Sequence, residues 1–125
     1  MSEPVRVLVV DDQEDVRFLV RTIIESADAG VVVAAEAATE DEALRLAEES
    51  DPQVALIDVV IPPGADLDVA RLVRERHPEL PVVLFSAHVD HELEEQAAAL
   101  GITRCLSKSE VTAVPEALRA VAAGS

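Results

Sequence analysis

Short apolar runs alternate along the chain with longer segments in which apolar residues recur every three or four positions. The short runs are typical of buried strands, and the longer segments are typical of helices that bury one face. This alternation predicts βα units that build one parallel sheet. We predict five strands, over Val5 to Val10, Val31 to Ala37, Val54 to Asp58, Val82 to Ser86 and Arg104 to Leu106.

Five helices are predicted to follow these strands. The first begins after Asp12 or Gln13, and the set covers Glu14 to Ala27, Glu40 to Glu49, Leu67 to Arg76, Asp90 to Leu100, and a last helix that contains Pro115 and continues through Val121. Thr39 with Glu42 predicts a capping box at the second helix, and Gly101 is expected to end the fourth. The first helix is expected to bury five apolar residues on one face, namely Val16, Leu19, Val20, Ile23 and Ile24.

Length and composition indicate one domain, residues 1–125. A chain of 125 residues can bury a single core without disulfides. No apolar run approaches the roughly 20 residues that a membrane helix needs, so no membrane contact is expected. The start lacks the basic segment and apolar core of a secretory signal, and a single cysteine cannot form an internal disulfide. We expect a soluble, cytoplasmic protein.

The charge balance argues against nucleic-acid binding by this chain. Acidic residues number 25 against 10 Lys and Arg, which gives a formal net charge of −15. Nonspecific affinity for nucleic acid depends on basic residues that neutralise phosphates. Phe18 and Phe85 are the chain's two aromatic residues, so base stacking is also poorly provided for.

Polar residues stand where the predicted strands end. Asp11 and Asp12 follow the first strand, Asp58 ends the third, Ser86 ends the fourth and Lys108 follows the fifth. The carboxyl ends of parallel strands share one edge of the sheet, so these side chains are expected to converge. Closely packed carboxylates repel one another unless a cation neutralises them, and Mg²⁺ prefers such oxygen ligands. The pattern predicts a divalent-cation and phosphate site.

A simpler interpretation exists for each acid taken alone. Asp11 or Asp12 would cap the first helix, and Asp58 would end a strand without further role. The three acids together with Ser86 and Lys108, each at a strand end, favour the functional interpretation.

Four segments, Val-Leu-Val-Val-Asp-Asp, Leu-Ile-Asp-Val-Val-Ile-Pro, Leu-Phe-Ser-Ala-His and Cys-Leu-Ser-Lys, together resemble a response-regulator receiver domain of two-component signalling. The resemblance covers nearly the whole chain and implies the α/β flavodoxin-like receiver fold, a doubly wound five-stranded parallel sheet flanked by five helices. It also implies that Asp58 is the phospho-acceptor. Mg²⁺ would be held by Asp11, Asp12, Asp58 and the backbone carbonyl of Val60. Ser86 and Lys108 would contact the phosphoryl group.

The resemblance further implies how the domain works. Asp58 would receive a phosphoryl group from a sensor histidine kinase or a phosphotransfer protein, and the domain would catalyse only its own phosphorylation and dephosphorylation. The last third resembles receivers that precede a helix-turn-helix output domain. An output domain in a full-length protein and a second copy of the chain in a homodimer are therefore further expected partners.

Several positions depart from the usual receiver pattern. Asp66 stands where the family generally has glycine, and Asp is expected to accept left-handed geometry there. Ser109 replaces a common proline, so the bond after Lys108 is expected to be trans. Cys105 stands at the position of the switch aromatic and is interpreted as a small buried hydrophobe. His88 is a candidate pocket neighbour or an exposed loop residue.

Other interpretations remain open at this point. His77 and His91 are interpreted as surface residues. The departures at Asp66 and Cys105 favour, as a first alternative, an atypical receiver that works unphosphorylated as a scaffold or dimerisation module. The second alternative is a phosphatase that forms an aspartyl phosphate, which needs a second acid near the nucleophile, where this chain has Val60.

Overall fold

A computed structural model describes residues 3–124 of the chain. Its centre is a single five-stranded parallel sheet with the strand order β2-β1-β3-β4-β5. The strands are β1 (Val5–Val10), β2 (Val31–Ala37), β3 (Val54–Asp58), β4 (Val82–Ser86) and β5 (Arg104–Ser107). The predicted strands are confirmed, and β5 extends one residue beyond the prediction.

Within residues 3–124, five α-helices flank the sheet, which confirms the doubly wound architecture. They are α1 (Glu14–Ala27), α2 (Glu40–Glu49), α3 (Asp68–Arg76), α4 (His91–Ala99) and α5 (Val114–Ala122). A 3₁₀ segment, Lys108–Ala113, joins β5 to α5. Pro115 lies in the first turn of α5, as predicted, where a missing N–H is tolerated. No helix among residues 3–124 is long and apolar enough to cross a bilayer.

The sheet separates two apolar clusters. On one face, Val20 and Ile24 of α1 and Leu118 of α5 pack against alternate strand residues. On the other face, residues of α2, α3 and α4 cover the remaining strand residues. All five residues of the central strand β3 are buried, which is expected for a strand covered on both faces.

One prediction about the core is wrong. Leu19 is 46% exposed, whereas Val20 and Ile24 are almost completely buried. Successive helical residues are rotated by about 100°, so a stripe centred on Val20 and Ile24 turns Leu19 toward solvent. The neighbouring Phe18 is exposed as well. The sequence pattern identified the helix but gave too wide a buried face.

The helix ends also differ in detail from the predictions. Thr39 Oγ1 accepts a hydrogen bond of 3.2 Å from the Glu42 amide, as a capping box requires. The Glu42 carboxylate, however, accepts from the amide of Ala38 and not from that of Thr39. The third and fourth helices each begin one residue later than predicted, and α4 ends at Ala99.

Arg74 connects the ends of α3 and α4. Its Nη1 donates to the carbonyls of Pro78 at 2.9 Å and Leu80 at 2.8 Å, and its Nε donates to the carbonyl of Leu100 at 3.2 Å. Gly101, the predicted end of the fourth helix, has a φ of 78°. A Cβ atom there would lie 3.0 Å from Arg74 Nη2, so both the backbone conformation and the close packing favour glycine.

Candidate functional site

Three carboxylates meet at the carboxyl edge of the sheet. One oxygen from each of Asp11, Asp12 and Asp58 lies within 4.8 Å of the others. The strands β1 and β3 are neighbours in register, with Val10 opposite Ile57, so the residues that follow these positions come together. Asp11 and Asp58 are buried and Asp12 is exposed. The structure therefore places the three predicted acids in one cluster that is open to solvent on one side.

Lys108 joins this cluster from the end of β5, an edge strand of the sheet. Its Nζ donates a hydrogen bond of 3.1 Å to Asp58 Oδ2. The same Nζ lies 3.1 Å from Asp11 Oδ2, an ion pair without hydrogen-bond geometry. It also lies 5.9 Å from the centre of the Phe85 ring. The ammonium group thus bridges the two buried carboxylates.

The pKa shifts follow from burial and from these charges. Burial raises the pKa of Asp58, and the negative charge of Asp11 raises it further. Bonds from Lys108 and from the Val60 amide act in the opposite direction without cancelling the rise. Burial alone would lower the pKa of Lys108, but the close carboxylates of Asp11 and Asp58 outweigh it and raise that pKa. The lysine therefore stays cationic at neutral pH.

The donor set fits a hard divalent cation. Asp11 Oδ1 accepts a hydrogen bond of 2.9 Å from the Gln13 amide. Its other oxygen, Oδ2, is buried and accepts no hydrogen bond from any residue in the described range 3–124. Three carboxylates and one ammonium leave a formal excess of two negative charges, which a doubly charged cation would neutralise. The residues present are compatible with Mg²⁺.

Ser86 and His88 interact through the loop backbone. Ser86, buried at the end of β4, donates from Oγ to the carbonyl of His88 at 2.8 Å and accepts from its amide at 3.2 Å. The His88 side chain is 83% exposed, and its Nε2 lies 3.7 Å from an Asp90 carboxylate oxygen. The imidazole makes no hydrogen bond to the acids within the described part of the chain.

A groove of about 1160 Å³ extends from the acids along the surface. Asp58, Ser86 and Lys108 line this groove together with the apolar residues Leu93 and Leu100. Val60, whose backbone carbonyl was predicted as a ligand, also lines it, and its side chain is 48% exposed. Asp58 therefore borders an open groove at the carboxyl edge of the sheet.

Cys105 lies beside the site on β5, opposite Leu84 of β4. It is half-buried and packs against the apolar cluster on the side of α4. Burial raises the pKa of the thiol, and the charge of Glu94 adds to the effect. The prediction of a small hydrophobe agrees with this packing, although the burial is only partial.

The backbone at Asp66 and after Lys108 and the exposure of two histidines were also predicted. The left-handed conformation expected at Asp66 occurs one residue later, at Leu67, with a φ of 68°. The bond between Lys108 and Ser109 is trans, as expected. Within residues 3–124, the bond between Pro62 and Pro63 is the one that is cis. His77 is not a fully exposed surface residue, since its side chain is 18% exposed. His91 is 86% exposed, in agreement with the prediction.

Sequence reasoning missed two residues next to the cluster. Arg17 of α1 donates from Nη1 to the backbone carbonyl of Asp11 at 2.7 Å. Glu36 of β2 lies 3.4 Å from Arg17 Nε. The signal that was available is Glu36 itself, a single charged residue in the otherwise apolar strand Val31–Ala37. A charge in such a strand requires a partner.

Comparison with known proteins shows the family of this chain. The family model described as the response regulator receiver domain matches residues 7–120. The chain belongs to this family. Among solved structures, the receiver domain of the response regulator NarL from Mycobacterium tuberculosis is 33% identical, with a TM-score of 0.87. That likeness covers 99% of this chain and 100% of the NarL domain.

Two relatives show receiver domains within longer proteins. The chain is 34% identical over 119 residues to the transcriptional activator protein ExaE of Pseudomonas putida, covering 94% of this chain and 55% of that protein. It is 34% identical over 111 residues to a protein-glutamate methylesterase/protein-glutamine glutaminase of Geobacter metallireducens, covering 89% of this chain and 30% of that protein. This receiver domain therefore spans about half, or less, of these relatives.

Proposed function

We propose that this receiver domain accepts a phosphoryl group on Asp58 in a Mg²⁺-dependent reaction and acts as a conformational switch in two-component signalling. The observation that carries the proposal is the bond of 3.1 Å from Lys108 Nζ to Asp58 Oδ2, beside the carboxylates of Asp11 and Asp12. A buried carboxylate held by a cation, next to two further acids, offers the positioning and charge stabilisation on which phosphoryl transfer depends.

Each residue has a distinct role in this reaction. An oxygen of Asp58 attacks the phosphorus atom in line, the bond to the leaving group breaks, and an acyl phosphate forms on Asp58. The Lys108 ammonium stabilises the negative charge on the phosphoryl oxygens. Mg²⁺ would be held by Asp11, Asp12, Asp58 and the carbonyl of Val60, and when bound it supplies charge neutralisation. Water later hydrolyses the acyl phosphate, which returns the domain to its first state.

The switch requires a differential interaction between two conformations. Moving an equilibrium from 1:99 to 99:1 takes about 5.5 kcal/mol. A phosphoryl group with two negative charges would gain contacts with Lys108 and with the hydroxyl of Ser86. Ser86 is bound to the His88 carbonyl before phosphorylation, so the gain of a phosphoryl contact is coupled to a change in that loop.

The partners follow from this function. A sensor histidine kinase or a phosphotransfer protein would supply the phosphoryl group from a phosphohistidine in the cytoplasm. Because the relative ExaE is a transcriptional activator, we propose a DNA-binding output domain in the whole protein. The net charge of −15 disfavours DNA contacts by the receiver domain itself.

The test is phosphoryl uptake from acetyl phosphate in the presence of Mg²⁺, followed by intact-mass measurement. The wild type should gain the mass of one phosphoryl group, and Asp58→Asn should not. Asp51→Asn is the matched control, since Asp51 is an exposed residue in the loop that precedes β3. An unchanged wild-type mass, or equal labelling of Asp58→Asn, would contradict the proposal.

A further inference from the structure

Arg17 is a partly buried cation that contacts the acidic site without touching a carboxylate of that site. Its side chain is 17% exposed. Nη1 donates to the backbone carbonyl of Asp11 at 2.7 Å, and Nε lies 3.4 Å from Glu36 Oε1. The side chain of Glu36 is 21% exposed and also binds Arg21 Nη1. Arg17 therefore links α1, the end of β1 and the strand β2.

The carbonyl that Arg17 binds has a special place in the site. It belongs to the peptide unit that joins Asp11 to Asp12. The amide of Asp11 already donates to the Ala37 carbonyl at 3.0 Å, and Asp11 Oδ1 accepts from the Gln13 amide. With the carbonyl held as well, the orientation of this peptide unit is fixed. The directions in which the two adjacent carboxylates leave the backbone are fixed with it.

Glu36 serves the same arrangement from β2. It lies opposite Val9 in the parallel register, two residues before Asp11 on the neighbouring strand. Its carboxylate is shared by the guanidinium groups of Arg17 and Arg21, so it offsets one of their two positive charges near the acidic site. Arg21 binds the same carboxylate, and among residues 3–124 it forms no hydrogen bond or ion pair with Asp11.

We propose that Arg17 is a positioning residue for the Mg²⁺ and phosphoryl site, and that Glu36 holds Arg17 in place. The inference rests on the proposed function of Asp58 and extends it to residues outside the cluster. Groups that orient metal ligands typically change metal affinity by about 10-fold to 100-fold when they are removed. Arg17 acts on the ligands through their backbone, which predicts an effect at the lower end of this range.

The experiment compares Arg17→Gln with Arg21→Gln as the matched control, because both residues bind Glu36 and only Arg17 binds the Asp11 carbonyl. Isothermal titration calorimetry measures Mg²⁺ affinity, and intact mass measures the rate of labelling by acetyl phosphate. Arg17→Gln should weaken Mg²⁺ binding about 10-fold and slow labelling at low Mg²⁺, with recovery at saturating Mg²⁺. Arg21→Gln should retain wild-type values.

Two further variants separate positioning from folding. Arg17→Lys keeps a donor for the Asp11 carbonyl and should recover part of the lost affinity, and it serves as the test if Arg17→Gln does not fold. Glu36→Gln should weaken Mg²⁺ binding less than Arg17→Gln does. The double variant should be no weaker than Arg17→Gln, because Glu36 acts through Arg17.

Wild-type Mg²⁺ affinity in Arg17→Gln, or an equal loss in Arg21→Gln, would overturn the inference and leave the role of Asp58 intact. Wild-type affinity in Arg17→Lys would do the same only if Arg17→Gln also keeps it; otherwise it is the expected rescue. Failure of the wild type to become labelled would contradict the proposed function instead, since calorimetry reports Mg²⁺ binding without phosphorylation.

Discussion

Ser86 Oγ donates a hydrogen bond of 2.8 Å to the backbone carbonyl of His88, two residues further along the chain. A serine hydroxyl has a single proton to donate. It cannot bind the His88 carbonyl and a phosphoryl oxygen on Asp58 at the same time. In the proposed function, a phosphoryl group that recruits Ser86 would release the His88 carbonyl and change the loop between β4 and α4.

This exclusivity predicts the behaviour of Ser86→Ala. The variant should still accept a phosphoryl group on Asp58, because Lys108 and the acids are retained. It should lose most of the change in amide exchange that a phosphoryl mimic causes in residues 87–90. Ser109→Ala is the control, since Ser109 Oγ bonds to Ser107 Oγ at the exposed start of the 3₁₀ segment. An unchanged exchange response in Ser86→Ala would contradict the coupling.

A second prediction concerns Cys105, which stands where receivers usually carry an aromatic residue. A thiol is too small to fill the space that a moving Ser86 vacates. The signal should therefore pass through residues 87–90 and α4. Cys105→Phe should leave labelling of Asp58 largely intact while it changes the population or partner affinity of the active form.

Amide exchange on the wild type, with and without a phosphoryl mimic, tests this account of the switch. Protection changes are expected in the loop and in α4. Cys105→Ala is the control that removes the sulfur without adding bulk. Changes that concentrate at Cys105 and its strand, while the loop and α4 stay still, would show that the account is wrong.

The raised pKa of Asp58 predicts a stability difference that depends on pH. Burial is the main cause, and repulsion from Asp11 adds to it. Because the folded state binds this proton more tightly than the unfolded chain does, the resulting stability is present in full below the ordinary pKa of 3.8. It is lost as the pH rises through the folded-state pKa. The ionised wild type is then less stable than a neutral variant.

Asp58→Asn removes this charge and keeps an oxygen that accepts from Lys108. Without Mg²⁺ at neutral pH, the free energy of unfolding should rise by on the order of 1 kcal/mol, a Tm increase of about 3 to 5 °C. The difference from the wild type should shrink as the pH falls. Calorimetry in EDTA at several pH values measures it, with Asp51→Asn as the control. A difference that is constant with pH would disprove the explanation.

The rotation of α1 about its axis, which buries Ile24 and exposes Leu19, gives a prediction about the core. Ile24→Ala removes a side chain that is 1% exposed, and its cost should be about 2 to 4 kcal/mol. Leu19→Ala removes a side chain that is 46% exposed, and its cost should be within about 0.5 kcal/mol. Urea unfolding of the two variants measures both values. Equal costs would mean that Leu19 is buried in solution.

The sequence predicted the strands and the cluster of acids because apolar runs end abruptly in charged residues. Asp58 and Lys108 are 50 residues apart, yet the parallel topology brings them together, and this followed from their places at strand ends. Periodicity identified α1 but not its rotation, so Leu19 was misplaced. The pattern carries the period of a helix more clearly than its orientation.

The pattern of apolar and polar residues along the sequence did not predict the contacts that long or polar side chains make. Arg17 meets Glu36 only because α1 packs beside β2, a relationship between elements that no local spacing contains. The bond between Ser86 and the His88 backbone depends on the path of a loop. The left-handed residue of the loop after β3 is Leu67, although composition pointed to Asp66.

The bonds that Arg74 makes across the ends of α3 and α4 hold one end of α4 in place and leave its other end able to pivot. At the C-terminal end of α4, the Leu100 carbonyl is held by Arg74. At its N-terminal end lies the loop that contains the bond between Ser86 and His88. Leu93 and Ala97 are the buried residues of the helix between these ends. A helix of nine residues is about 13 Å long. A small shift near Asp90 would therefore tilt α4 about the end that Arg74 holds. A partner that distinguishes the two states would then sense the angle of α4.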